Sequence, residues 1–232
     1  MRKNILTAAF LGGAAILANG PVLAQEAGGD WSGAYAGLFG SNNSTDVGIV
    51  DVNDIFTGAF QAVDISADGS DFGGLVGYNF QRGNLVYGIE LSLANGGATG
   101  NSVVDTLYFD ETLEWEVKSS AALVARVGTV VGKTLFFGSV GVAQSKVNFG
   151  YLNLSDDQLT VEDDFRTDST FKGYVLGIGF EHPLSAKMTL RTEVLHSSYS
   201  TQTLVASPLV PSSLVEYSPS NTAIRVGVLF RF

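Results

Sequence analysis

Few residues in this 232-residue chain have types and spacings that can do chemistry. His196-Ser197-Ser198 sets an imidazole two positions from a hydroxyl, and a hydroxyl nucleophile needs such a base, itself oriented by an acid. The nearest downstream acid is Glu216, 20 residues after His196. With 2 His and no Cys, neither a transition-metal centre nor a disulfide framework is expected. No cofactor is expected either: no Gly-rich run leads into Lys-Ser/Thr as a phosphate cradle would. Two sets of charged residues remain. Three acids (Glu90, Glu181, Glu193) and three arginines (Arg126, Arg191, Arg225) sit singly inside Gly-rich alternating runs. A second set of acids is clustered: Asp64, Asp68 and Asp71, then Asp156, Asp157, Asp163 and Asp164, where carboxylates could share a divalent cation. The first of these clusters lacks the spacing and closing Glu of an EF-hand loop.

The elements that must position these residues read as strands. After an apolar N-terminal stretch, apolar residues recur at every second position. Leu85, Tyr87, Ile89, Leu91 and Leu93 alternate with Val86, Gly88, Glu90 and Ser92. The same pattern predicts strands over 31–40, 72–81, 85–94, 113–131, 134–150, 169–182, 187–199 and 221–232. In the fifth, Leu135, Phe137, Gly141 and Ala143 are assigned to the lipid face, opposite Gln144, Lys146 and Asn148. Three connections are short (82–84, 132–133, 183–186) and four are long (41–70, 95–112, 151–168, 200–220), in strict alternation. An all-β fold follows: an eight-stranded antiparallel transmembrane β-barrel with short periplasmic turns, four long extracellular loops and both termini periplasmic. A soluble β-sandwich shares the alternation, but its polar face would not be mostly Gly and Ser. Aromatic residues near the short turns (Tyr78, Phe80, Tyr87, Phe137, Phe180, Phe230 and Phe232) form the expected interfacial girdle.

Residues 1–24 read as a secretory signal peptide: Arg2 and Lys3, an apolar run from Ile5 to Ala18, and Val22-Leu23-Ala24 before the cleavage point. Residues 25–30 would then be a short periplasmic segment and 31–232 the barrel domain. Loss of Arg2 and Lys3 takes the formal net charge from −10 to −12, which argues against binding nucleic acid.

Several strands carry a resemblance. Trp31-Ser32-Gly33-Ala34-Tyr35-Ala36-Gly37, the run Gly73 to Gln81, Tyr87-Gly88-Ile89-Glu90, Gly177-Ile178-Gly179-Phe180-Glu181, Leu190-Arg191-Thr192-Glu193 and the run Ile224 to Phe232 resemble the OmpA-like, porin-family small outer-membrane barrels. The resemblance implies a Gram-negative outer-membrane location. It also implies an assembly signal in Ile224, Val226, Val228, Phe230 and Phe232, read by the barrel-assembly machinery. The chain ends at Phe232, so no peptidoglycan-binding domain is expected after the barrel. Some eight-stranded barrels are lipid A deacylases with His, Ser and Glu on the lipid-facing wall. His196 and Ser198 share parity with lipid-facing Leu190 and Val194, which keeps that activity as an alternative.

With the Gly-rich face inward, Glu90, Arg126, Arg191, Glu193 and Arg225 fall in one belt, Glu181 lower, and Lys118 and Lys146 higher. Eight strands enclose a space that side chains can fill, so the belt is expected to close the lumen; a narrow gated channel is the alternative. The long connections hold 15 of the 23 acids and a single base, Arg166. The expected role is therefore non-enzymatic: envelope integrity, and surface contact with lipopolysaccharide or an unknown extracellular ligand through acidic loops. Lys172, at the outer end of the sixth strand, is placed to meet a lipopolysaccharide phosphate.

Overall fold

The computed structural model describes residues 29–51, 62–105, 110–154, 161–207 and 210–232. The expected signal peptide, residues 1–24, lies outside them. Among the described residues nine strands form one antiparallel sheet: β1 (Gly33–Asp51), β2 (Ala62–Arg82), β3 (Leu85–Asp105), β4 (Asp110–Val131), β5 (Thr134–Leu154), β6 (Val161–Pro183), β7 (Met188–Tyr199), β8 (Gln202–Ser207) and β9 (Val210–Arg231). Pairing runs β1 through β7 to β9, and β9 returns to β1. Eight strands thus close a barrel, which excludes the sandwich, and β8 is a short addition on the outer part of β9. Register on both sides of β1 is continuous, from Tyr35↔Arg231 to Asp51↔Val215 on one edge and from Gly33↔Asn79 to Val50↔Ala62 on the other.

The short turns fall where expected. Gly83, at φ 62°, takes the left-handed conformation that a two-residue turn demands. The long connections do not: β1 and β2 continue into 41–70, β3 and β4 into 95–112, β5 and β6 into 151–168, and β9 begins at Val210. Strands of about 20 residues run to roughly 65–70 Å, whereas a transmembrane strand needs only about 9–11 residues. About half of each long strand therefore stands outside the bilayer.

Side-chain polarity inverts along these strands. Near the turns the outward residues are apolar and exposed, among them Phe72, Val76, Tyr78 and Phe80 on β2 and Leu85 through Leu93 on β3. Further out the outward positions turn polar (Asp46, Asp64, Ser66, Asp68, Asn148, Asp168) and the inward ones apolar. Val47, Ile49, Ile65, Trp115, Val147, Phe149, Phe171, Val215 and Tyr217 fill that outer interior as one core. Trp115 lies 5.3 Å from Phe171, and Phe149 meets Tyr217 edge-on at 4.8 Å. Lipid surrounds one half and water the other, so the apolar face swaps sides. The odd-numbered residues of β1 list the interior layers in order: Trp31 just before the strand in an apolar floor, Tyr35 and Phe39 in the charged belt, Ser41, Asn43 and Thr45 in a polar collar, then Val47 and Ile49 in the outer core.

Two details correct the sequence reading. On β5 the exposed stripe is Phe136, Val140 and Val142; Leu135, Phe137 and Ala143 are buried inside the barrel, and Lys146 faces outward. Phe137 therefore does not belong to the interfacial girdle. A β-bulge between Val117 and Ser119 also shifts β4, so inward positions are even below it and odd above, and Lys118 points outward.

Candidate functional site

Glu90 (β3), Arg126 (β4), Glu181 (β6), Arg191 and Glu193 (β7) and Arg225 (β9) are all buried in the barrel interior. Glu90 lies between inward Gly88 and Ser92, Arg225 between Gly227 and Ala223, and Arg126 and Glu181 each beside a glycine (Gly128, Gly179), which leaves room for the side chains to reach into the lumen. Arg191 donates from Nε and Nη2 to Glu181 Oε1 (2.9 and 2.7 Å) and from Nη1 to Glu90 Oε1 (2.8 Å). Arg126 donates from Nη2 to the same Glu181 oxygen at 2.5 Å and contacts Glu90 Oε2 at 3.4 Å. Since β4 is not paired with β6, nor β3 with β7, the Arg126–Glu181 and Arg191–Glu90 bonds cross the lumen, whereas Arg191 and Glu181 are direct partners on adjacent strands. Glu181, placed lower by its distance from the turn, reaches both arginines because their side chains are long.

Tyr35 completes the centre and was missed, because its phenol carries no charge to single it out. Its Oη donates to Glu90 Oε2 (2.7 Å) and accepts from Arg126 Nη1 (2.9 Å). Gly77 makes this possible: a Cβ there would collide with the Tyr35 ring. Phe137, inverted relative to the sequence reading, stacks under Arg126 with the guanidinium carbon 4.1 Å from its ring centre. That contact covers the face of the guanidinium that carboxylates cannot reach.

The remaining pair, Arg225 and Glu193, is looser. Arg225 meets Glu193 through Nη1 alone, at 3.3 Å, and rests on Phe39 at 3.8 Å from the ring centre. Above it the polar collar surrounds a cavity of about 60 Å³, room for a few waters. Asn43 Nδ2, Asp71 Oδ1 and Arg225 Nε have no protein hydrogen-bond partner and sit around this space. Three carboxylates and three guanidiniums make the belt formally neutral, and in a dry interior it is stable only while every member stays paired. Chemically the arrangement can brace six strands and obstruct ions; it holds no free nucleophile.

The other expected residues separate. Asp64 and Asp68 lie on the outward face of β2, whereas Asp71 turns inward, so they form no common site. Asp156 and Asp157 lie outside the described residues; Asp163 and Asp164 pair with Asn153 and Leu152 on β5, and their side chains are likewise outside the description. Among the described residues no three His, Asp or Glu side chains come together as a metal cage. His196 Nδ1 bonds Thr222 Oγ1 (3.0 Å) rather than Ser198, and Glu216 stands six residues up β9 from Thr222, about 20 Å away. Ile224, Val226, Val228, Phe230 and Phe232 are all exposed along the outer face at the end of the chain.

Outside the membrane band the polar strand faces carry paired charges. Lys118 meets Glu116 at 2.6 Å, Lys146 meets Asp168 at 2.9 Å, and Arg166 meets Glu114 at 2.7 Å. The hydrogen bond from Asn148 Nδ2 (2.9 Å), joined by Lys146, holds the Asp168 carboxyl below the usual carboxylate range.

A family model described as outer membrane protein beta-barrel domain matches residues 7–232. The chain is 28% identical over 173 residues to a 31 kDa outer-membrane immunogenic protein of Brucella melitensis, covering 74% of this chain and 70% of that one. It is 29% identical over 174 residues to a 22 kDa outer membrane protein of Rhizobium leguminosarum bv. viciae, covering 74% and 65%. Among solved structures, the outer membrane protein OprG of Pseudomonas aeruginosa superposes with a TM-score of 0.51 at 14% identity, over 89% of this chain and 99% of that one. That last likeness is one of fold. A closed barrel with an apolar girdle, a family match along nearly the whole length and outer-membrane relatives agree: this chain belongs to the outer-membrane β-barrel domain family of Gram-negative bacteria.

Proposed function

We propose that this protein is a non-enzymatic barrel that braces the outer membrane and presents its outer strands as a contact surface, its lumen closed at mid-height by the Glu/Arg belt. One observation carries this reading: Arg126 and Arg191 together hold Glu90 and Glu181 across the lumen, with Tyr35 and Phe137 packed around them. An ion crossing this layer must break pairs whose members are buried, and separating one buried partner costs about 3–5 kcal/mol. The outer apolar core adds a second dry layer. Acidic outward residues such as Asp46, Asp64 and Asp68 keep the exposed half soluble and set the charge that an extracellular ligand meets. Its partners on this reading are the barrel-assembly machinery during insertion, then outer-membrane lipid and lipopolysaccharide, and an extracellular ligand.

A narrow channel is favoured by one feature, the single 3.3 Å bond of Arg225 between two small cavities. Proteoliposomes loaded with small sugars separate the readings. The closed barrel gives no swelling above empty liposomes, whereas swelling that decreases with sugar size would establish the channel and overturn the closed lumen.

A further inference from the structure

The outer half of the barrel has its cations on one side. Arg82, Lys133, Lys187 and Arg231 lie at the turn end, and Arg126, Arg191 and Arg225 are in the lumen. The four that remain, Lys118, Lys146, Arg166 and Lys172, all face outward on β4, β5 and β6. The outward face of the outer part of β1 and β2 carries Asp46, Asp64 and Asp68 and no base.

Three of these cations cluster around Lys146. Ser119 pairs with Lys146, and Lys146 with Thr170; Lys118 is one residue from the first and Lys172 two from the last. At about 4.8 Å between strands and 3.3 Å per residue, their Cα atoms lie within roughly 6–8 Å of Lys146, close enough for flexible ammonium groups to share one ligand. Lys118 joins the group only because of the bulge: an unbroken alternation through Arg126 would turn it into the lumen. Lys172 has no carboxylate partner among the described residues. Lys118 and Lys146 are held by exposed ion pairs to Glu116 and Asp168, which a stronger anion can displace.

The position is that of a lipid headgroup. Directly below the lysines the wall becomes apolar, with Leu123 on β4, Val142 on β5 and Tyr174 on β6, all exposed. Beside them runs an open groove of about 380 Å³, lined by Leu93, Ser119, Ala121, Gln144, Lys146 and Thr170. Small Ser119 and Ala121 form its floor, Leu93 supplies an apolar edge for an acyl chain, and Lys146 and Gln144 supply polar groups for a sugar.

We propose that Lys118, Lys146 and Lys172 form a binding site for the phosphate groups of an outer-leaflet phosphorylated glycolipid, whose proximal chain lies in the β3–β5 groove. The proposal rests on the surface-contact reading above and gives it a location: the basic β4–β6 wall instead of the acidic strands.

The full chain in phospholipid nanodiscs, titrated with bisphosphorylated lipid A and followed by native mass spectrometry, tests it. Wild type retains the glycolipid. Retention falls about fivefold for each lysine changed to Ala, and the Lys118→Ala/Lys146→Ala/Lys172→Ala variant is close to background. Lys133→Ala/Lys187→Ala, at the periplasmic turns, retains wild-type binding, and heat-modified gel mobility confirms that each variant is folded. Dephosphorylated lipid A binds wild type as weakly as the triple variant, and inorganic phosphate at matched concentration leaves the complex intact. Equal retention by wild type and the triple variant would overturn this site while leaving glycolipid contact in place. No retention by wild type would overturn both, and displacement by inorganic phosphate would make the site one for free anions. None of these results depends on whether the lumen conducts.

Discussion

At the residue scale the account turns on Arg191, the one guanidinium that touches all three belt carboxylates, reaching Glu193 at 3.9 Å. Arg191→Ala leaves Glu90 and Glu181 buried with half their partners, and destabilisation by about 3–5 kcal/mol is expected in urea unfolding from lipid. Arg191→Met, which fills the volume but removes the charge, leaves the same carboxylates with Arg126 as their one remaining guanidinium and is expected to be no milder. Gly77→Val tests Tyr35 separately. It forces the ring out of its bonds to Glu90 and Arg126, and a blue-shifted tyrosine absorbance with quenchable fluorescence is the expected signature of its exposure. Outside the membrane, Asp168 offers a pH test. Its folded carboxyl titrates below its ordinary value near 3.8, so the stabilisation it contributes is present above that value and lost as pH falls through the lower folded one. Asn148→Ala removes the largest cause and should move the Asp168 carbon resonance midpoint upward in an NMR titration; an unmoved midpoint would count against that hydrogen bond.

At the element scale, strand parity was legible wherever one face was uniform. Leu85 to Leu93, Tyr174 to Phe180 and Ile224 to Phe232 present unbroken apolar stripes to lipid, and their inward charges followed directly. On β5 both faces near the turn are large and apolar. Leu135 packs in the floor with Trp31, Val86 and Val130, and Phe137 packs under Arg126, so hydrophobicity could not choose between them. Lys118 was misplaced for a different reason, since a one-residue bulge leaves no mark on composition. The strand lengths were under-read because the apolar face swaps sides in water. Val47 and Ile49 against Asp46 and Gly48, or Val147 and Phe149 against Lys146 and Asn148, are still alternation, but shifted by one from the membrane stripe. A change of hydrophobic parity without a turn thus marks where a strand leaves the bilayer. Trp115→Ala, which hollows the outer core, should cost about 3–5 kcal/mol locally. Hydrogen exchange should quicken in the outer halves of β4, β5 and β9 while the membrane band stays protected; uniform quickening would show that the two halves are not separately packed.

At the scale of the whole molecule, the barrel is a stack of layers on one closed sheet: apolar floor, ion-paired belt, polar collar, apolar outer core. The first two lie within the lipid girdle and the last stands in water, so on the proposed reading closure to ions depends on the belt. The belt's members were legible as isolated charges in Gly-rich runs; their partners across the lumen were not, because spacing along one strand carries no information about the strand opposite. Single-barrel conductance in planar bilayers is the most direct test of the closed lumen. Wild type should be electrically silent and Arg191→Ala should open brief, irregular currents as the under-paired carboxylates admit water and cations. Stable unitary steps from wild type, unchanged in Arg191→Ala, would contradict it.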